Sequence, residues 1–140
     1  MRQMRQSYRA EACSVGHARH AVNSFTEELG WDPEAVRAVC LAVTEACANV
    51  VVHAYRDRAA PGEMVVVASE SDGGLEVKVI DHGLGLAPRI DSPGLGMGMP
   101  LMSQLSESFE VQTPFGGGTE VSMRFAPPAG PSGQRVTLAA

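Results

Sequence analysis

The spacing of hydrophobic positions changes along the chain, and each change marks an element. Gln3 to Ala10 alternates over a short stretch, as an edge strand does. From Val15 the interval lengthens. Val15, Ala18, Val22, Phe25 and Leu29 recur at helical spacing, Ser14 has the chemistry of an N-cap, and Gly30 suits the position just past the helix end. Asp32-Pro33-Glu34 then reads as a helix start, a capping carboxylate followed by proline at the first helical position, and this second helix is expected to run to about Tyr55. Pro61-Gly62 breaks the chain. The β-rich runs Met64 to Ser69 and Leu75 to Ile80, joined at Asp72-Gly73-Gly74, predict a hairpin. A loop rich in Gly and Pro follows from Asp81 to about Met97. A third helix is expected over residues 98–108, with Leu101, Met102 and Leu105 on one face. Strands Phe109 to Thr113 and Thr119 to Phe125, joined through Phe115-Gly116-Gly117-Gly118, close the domain.

The order is strand, two helices, hairpin, helix, hairpin. That is an α+β pattern, a two-layer sandwich in which helices cover one face of a mixed, mainly antiparallel sheet. Alternating βαβ units are missing, which argues against a Rossmann domain. A chain of 140 residues builds one core. Residues 1–126 form the expected domain. The Pro/Gly-rich residues 127–140 have no face to bury and read as a mobile tail.

Charge and composition remove several classes. The formal net charge is -5, with no basic footprint, so direct nucleic-acid binding is not expected. No apolar run is read as a membrane span. The N-terminal segment carries Arg2, Arg5 and Arg9 without an apolar core behind them, unlike a signal peptide, so a cytoplasmic location is expected. Cys13, Cys40 and Cys47 do not make a disulfide framework. Cys40 and Cys47 share a face of the second helix, as core thiols do.

The second helix carries unusual polar residues. At about 100° per residue, Asn49 lies about 40° and His53 about 80° from Glu45, while Val36, Cys40, Val43, Cys47 and Val50 gather in a stripe about 140–200° away. Ala38, Ala42, Ala48 and Val52 flank the Glu45–Asn49 side, where a solvated face would show several charges. A carboxylate and an amide one turn apart, walled by small side chains, fit the lining of a cleft. They equally fit two tolerated polar positions at a domain rim. His53, near the helix C-terminus, has an ordinary role available in stabilising the helix dipole.

The strand Leu75 to Ile80 ends in Asp81-His82-Gly83-Leu84-Gly85. A carboxylate fixed at a strand end accepts hydrogen bonds and suits an exocyclic amine such as that of adenine, and glycines at +2 and +4 clear the approach of a flat ligand. Gly94-Leu95-Gly96-Met97-Gly98 leads into the third helix, where free backbone N–H groups favour an anion. No Walker sequence G-x-x-x-x-G-K-[ST] is present.

Together these segments resemble the GHKL ATPase superfamily, and within it the bacterial anti-sigma-factor serine/threonine kinases. The resemblance runs from about Ser14 to Phe125. Thr44 to Asn49 with His53-Ala54-Tyr55 resembles the N box. Asp81 to Gly85 resembles the first glycine box, Gly94 to Gly98 with Pro100-Leu101 the second, and Gly116-Gly117-Gly118-Thr119 the segment before the last strand. The resemblance implies the histidine-kinase-like ATPase fold, ATP or ADP as ligand, and Mg²⁺ held by the side-chain oxygen of Asn49. It implies Glu45 as catalytic general base, Asp81 on the adenine amino group, and Thr119 supporting that contact through water. Gly83 and Gly85 would pass close to the nucleotide, with Gly94, Gly96 and Gly98 along the phosphates. The implied partners are a sigma factor and a small anti-anti-sigma protein of the STAS type; family members resemble homodimers, while the sequence itself leaves the oligomeric state open.

One departure from the family is visible. Only Leu86 to Pro93, with two prolines, separates the two glycine boxes, where such kinases carry a longer ATP lid. Three readings therefore stand side by side: a kinase that also sequesters a sigma factor, a non-catalytic nucleotide-gated binding module, and a domain of this fold without nucleotide affinity. A sensor histidine kinase is not expected, because the segment before the first helix has no room for a phospho-accepting dimerisation helix.

Overall fold

The computed structural model describes residues 1–85 and 98–128, with the backbone alone for 98–100. Strand β1 covers Gln3–Arg9, helix α1 Ala12–Glu28 and helix α2 Pro33–Asn49, which runs on into a π-helical turn at Val50–Ala54. Strands β2 (Glu63–Ser71) and β3 (Gly74–Asp81), helix α3 (Gly98–Leu105), and strands β4 (Ser108–Gln112) and β5 (Thr119–Phe125) complete the order. The strands form one sheet in the order β1-β2-β3-β5-β4, and every described pairing is antiparallel. The α+β sandwich is therefore as expected, with the sheet more uniform than a mixed one.

The register fixes which side chains face the helices. Val66, Val79 and Val121 stand in one row across β2, β3 and β5, and Ala68, Val77 and Met123 in the next. These rows join Ala18 and Val22 of α1, Val39, Val43, Ala46 and Cys47 of α2, and Val50 of the π-helical turn in one buried cluster. The opposite face is polar at its centre, where Lys78 lies between Glu76 and Glu120 at 3.7 and 3.3 Å.

Local chemistry explains most element ends. Asp32 caps α2, its carboxylate accepting the Ala35 N–H at 2.8 Å, with Pro33 at the first position. Gly30, at φ 83°, ends α1. Its N–H donates to the Glu27 carbonyl and the Trp31 N–H to that of Thr26, the paired bonds of a Schellman ending. Asp72 and Gly73, at φ 53° and 75°, turn the β2–β3 hairpin.

Three expectations need correction. Helix α1 starts at Ala12 with Glu11 as its N-cap, and Ser14 is buried inside the first turn, so packing against the core overrides its capping preference. Helix α3 ends at Leu105, because the Glu107 N–H already donates to the Arg124 carbonyl at 2.7 Å and draws the chain into the β4–β5 pair. The helical stretch Pro33–Ala54 is apolar and long enough to span a membrane by composition, at a mean hydropathy of 1.7, although the sequence reading found no such run. Half of it is buried against α1, α3 and the sheet, which is the environment of a core helix.

Candidate functional site

Following the inward rows to one end of the sheet leads to an abrupt change of chemistry. The last complete row is Tyr8, Met64, Asp81 and Thr119. Asp81 occupies a core-facing position at the end of β3 and is 1% exposed. One of its oxygens, Oδ1, accepts the Gly83 N–H at 2.9 Å. The other, Oδ2, is buried and has no hydrogen-bond partner among the described residues. Burial pushes the Asp81 carboxyl above its usual range, opposed by the Gly83 N–H, the neighbouring His82 and the Thr119 backbone. A buried oxygen left unpaired costs about 1–3 kcal/mol, which marks this position as a candidate for binding. A donor such as an exocyclic amine is the complement that Oδ2 lacks.

Thr119, beside Asp81 in the register, is equally buried at 1%. The glycines around this pair are there for close approach. A Cβ on Gly83 would stand 2.0 Å from the Ala54 carbonyl oxygen, and one on Gly118, at φ 87°, 2.1 Å from that of Asp81. Both loops thus lie directly on neighbouring backbone, and no side chain intervenes.

Helix α2 delivers its polar residues to the same end. Asn49 is buried at 8% and is the last α-helical residue, while Glu45, one turn earlier, is half-buried. Neither side chain makes a hydrogen bond with the described residues. The flank is tighter than the helical wheel predicts at Ala42, which is fully buried, and looser at Val52, which is 61% exposed. At Val52 the difference follows from the π-helical turn over Val50–Ala54, whose wider winding breaks the 100° step on which Val52 and His53 were placed. His53 is half-buried, and burial and Arg56 both lower its pKa. Cys47, fully buried on the core side, has its thiol pushed up to about 12 by burial, consistent with an inert core thiol.

The helix end and the glycine loop are joined directly. The Ala54 carbonyl accepts the Leu84 N–H at 2.8 Å, and the Tyr55 hydroxyl accepts the His82 N–H at 2.8 Å. So the structure brings Asn49, Asp81, Gly83, Gly85 and Thr119 to one end of the domain, with Glu45 a turn back along the helix. Gly98 opens α3. Gly94, Gly96 and the short segment Leu86 to Pro93 lie outside the described residues. Sequence reasoning missed the structural role of Tyr55, because its partners Glu63 and His82 are 8 and 27 residues away. A lone aromatic after a helix carries no signal of that kind. Among the described residues no cluster of three or more His, Cys, Asp or Glu could hold a metal ion.

Known proteins are similar to this chain in sequence and in fold. The anti-sigma F factor of Clostridium acetobutylicum is 28% identical over 132 residues, which is 86% of this chain and 91% of that protein. A histidine kinase domain from the blue-light activated histidine kinase of Erythrobacter litoralis superposes with a TM-score of 0.59 at 26% identity, over 89% of this chain and 63% of the other. The solved RsbU and RsbW domains of a Mycobacterium tuberculosis protein give a TM-score of 0.68 at 21% identity, a likeness of fold over 90% of this chain and 32% of that one. Residues 8–125 match the histidine kinase-like ATPase domain. That match takes in the whole Asp81 end together with the core behind it, and the chain belongs to the histidine kinase-like ATPase domain family, the fold its GHKL-like motifs implied.

Proposed function

We propose that the protein is a cytoplasmic anti-sigma regulatory factor that binds ATP and phosphorylates a serine or threonine of an anti-anti-sigma partner of the STAS type. The observation that carries the nucleotide part is the unpartnered, buried Asp81 Oδ2 at the mouth of two glycine-bearing loops. In this reading Asp81 accepts a hydrogen bond from the adenine amino group, with Thr119 beside it. Gly83 and Gly85 would pass close to the nucleotide, Gly94, Gly96 and Gly98 would lie along the phosphates, and Asn49 would give its amide oxygen to Mg²⁺. ATP would supply the transferable phosphoryl group. Glu45 accepts the proton of the partner's hydroxyl, a task for which a half-buried carboxylate one helical turn from Asn49 is suited. The name of the anti-sigma F factors to which the chain is similar supports the partner side, a sigma factor held by the same domain.

Glu45→Ala tests the kinase step. The variant should bind Mg-ATP and partner as the wild type does, yet transfer phosphate about 10²–10⁴-fold more slowly, the usual share of a general base. Radiolabelled ATP with the cognate anti-anti-sigma protein measures it. The short segment Leu86 to Pro93 favours a second reading, a nucleotide-gated binding module without catalysis. Wild-type protein that binds both partner and Mg-ATP but transfers no phosphate would establish that reading and remove the kinase.

A further inference from the structure

The β2–β3 ladder stops at Met64 and Asp81. The next rung would pair Glu63 with His82, with the His82 N–H donating to the Glu63 carbonyl. That rung is not made directly. The Tyr55 hydroxyl sits within it, accepting the His82 N–H at 2.8 Å and donating to the Glu63 carbonyl at 2.5 Å. Both backbone groups stay satisfied while the two strands are held apart by one oxygen atom.

Several contacts hold that oxygen in place. Tyr55 is buried at 6%. Its ring rests on Gly62, where a Cβ would come within 2.2 Å of Cε1. The Arg58 guanidinium covers the ring at 5.1 Å from its centroid and reaches the His82 carbonyl at 3.4 Å. Burial, as the largest influence, raises the Tyr55 pKa, so the hydroxyl keeps the proton it donates. One residue earlier, the Ala54 carbonyl takes the Leu84 N–H at 2.8 Å. Two consecutive residues at the end of the helix therefore grip two alternate amides of the loop that follows Asp81.

We infer that Tyr55 is a positioning residue: its hydroxyl replaces the last rung of the β2–β3 ladder, ends the sheet at Asp81, and seats the glycine loop on the end of the helix that carries Asn49. Without the hydroxyl the strands are free to close on each other through the direct His82–Glu63 bond. Residues 82–84 would then be drawn off Ala54, and the carboxylate would lose its fixed relation to the helix. This inference rests on the proposed nucleotide site for its functional consequence, and on the hydrogen bonds alone for the positioning itself.

Tyr55→Phe is the test, because it keeps the ring on Gly62 and under Arg58 and removes only the bridging oxygen. Two quantities are read on the full chain: affinity for ATP and GTP by calorimetry, and amide hydrogen exchange of the protein without nucleotide. The expected result is ATP affinity about tenfold weaker, the scale of one lost hydrogen bond, with the ATP-over-GTP preference narrowed. Exchange should be faster at His82, Gly83 and Leu84 and unchanged at Val77 and Val79. Wild-type preference together with unchanged exchange at those three amides overturns the inference. So does a uniform rise in exchange along β3 with the preference intact, since Tyr55 would then be a general stabiliser. If the wild type binds no nucleotide, the proposed function fails, and exchange decides the positioning by itself: acceleration confined to residues 82–84 supports it, and no change overturns it.

Discussion

The two ends of the sheet are built from the same strands and face the same helices, yet they are finished differently. At one end the inward row closes with Leu75 and Phe125, 0% and 4% exposed, and the strands simply turn at Asp72-Gly73. At the other it closes with Asp81 and Thr119, both 1% exposed, and the strands give way to glycine loops lying on backbone. Burial is nearly equal at the two ends, whereas polarity is opposite. An apolar row end returns its burial as stability. A carboxylate with one oxygen unpartnered among the described residues does not, and the proposed adenine contact would give that oxygen its partner. The groove at the apolar end, lined by Trp31, Val39, Leu105 and Phe125, carries no such buried acid.

That contrast can be broken at either end. The largest effect is expected from Leu75→Ala, which removes a fully buried side chain and should cost about 2–5 kcal/mol in denaturant unfolding. The ATP-over-GTP preference of the folded protein should not change, because the cavity opens at the end remote from Asp81. Asp81→Asn should do the reverse. An amide presents donors as well as an acceptor, and the mismatch with the adenine amino group should reduce the ATP-over-GTP preference by about 1–3 kcal/mol. Competition binding against both nucleotides measures it, and an unaltered preference would mean that Asp81 does not read the base.

A smaller effect sharpens the comparison through pH. Burial raises the Asp81 carboxyl above its ordinary 3.8, so over the interval between the unfolded and folded values the folded chain keeps a proton that the unfolded chain has lost. This group's contribution to stability is fully present below the unfolded value and is lost as pH rises through the folded one. In the protein without nucleotide, Asp81→Asn should therefore gain stability relative to wild type as pH rises through that window. Parallel stability curves for the two proteins across the acid range would show that the carboxyl is not strained by burial.

How much of this was legible in the sequence depended on the distance over which each feature is determined. The Asp32-Pro33 cap and the Asp72-Gly73 turn are settled by neighbours, and both stand where the residues predict them. Asp81 was legible because a strand pattern ends on it and two glycines follow, so period and chemistry coincide. Ser14 misled because its hydroxyl suits a cap, while the burial of its position is a tertiary property. The π-helical turn has no local signature. It displaces Val52 and His53 from the faces that regular winding assigns them. Tyr55 was legible only as a letter of a motif, since its function lies in joining β2 to the loop after β3.

In the proposed function the polar end of the sheet binds an adenine nucleotide with Mg²⁺ through Asn49. Calorimetric titration of ATP into the wild-type protein, with and without Mg²⁺, tests it most directly. The expected result is saturable binding that Mg²⁺ strengthens. In Asn49→Ala that strengthening should be lost, while the weaker binding seen without metal persists. Absence of binding at millimolar ATP with Mg²⁺ present would contradict it.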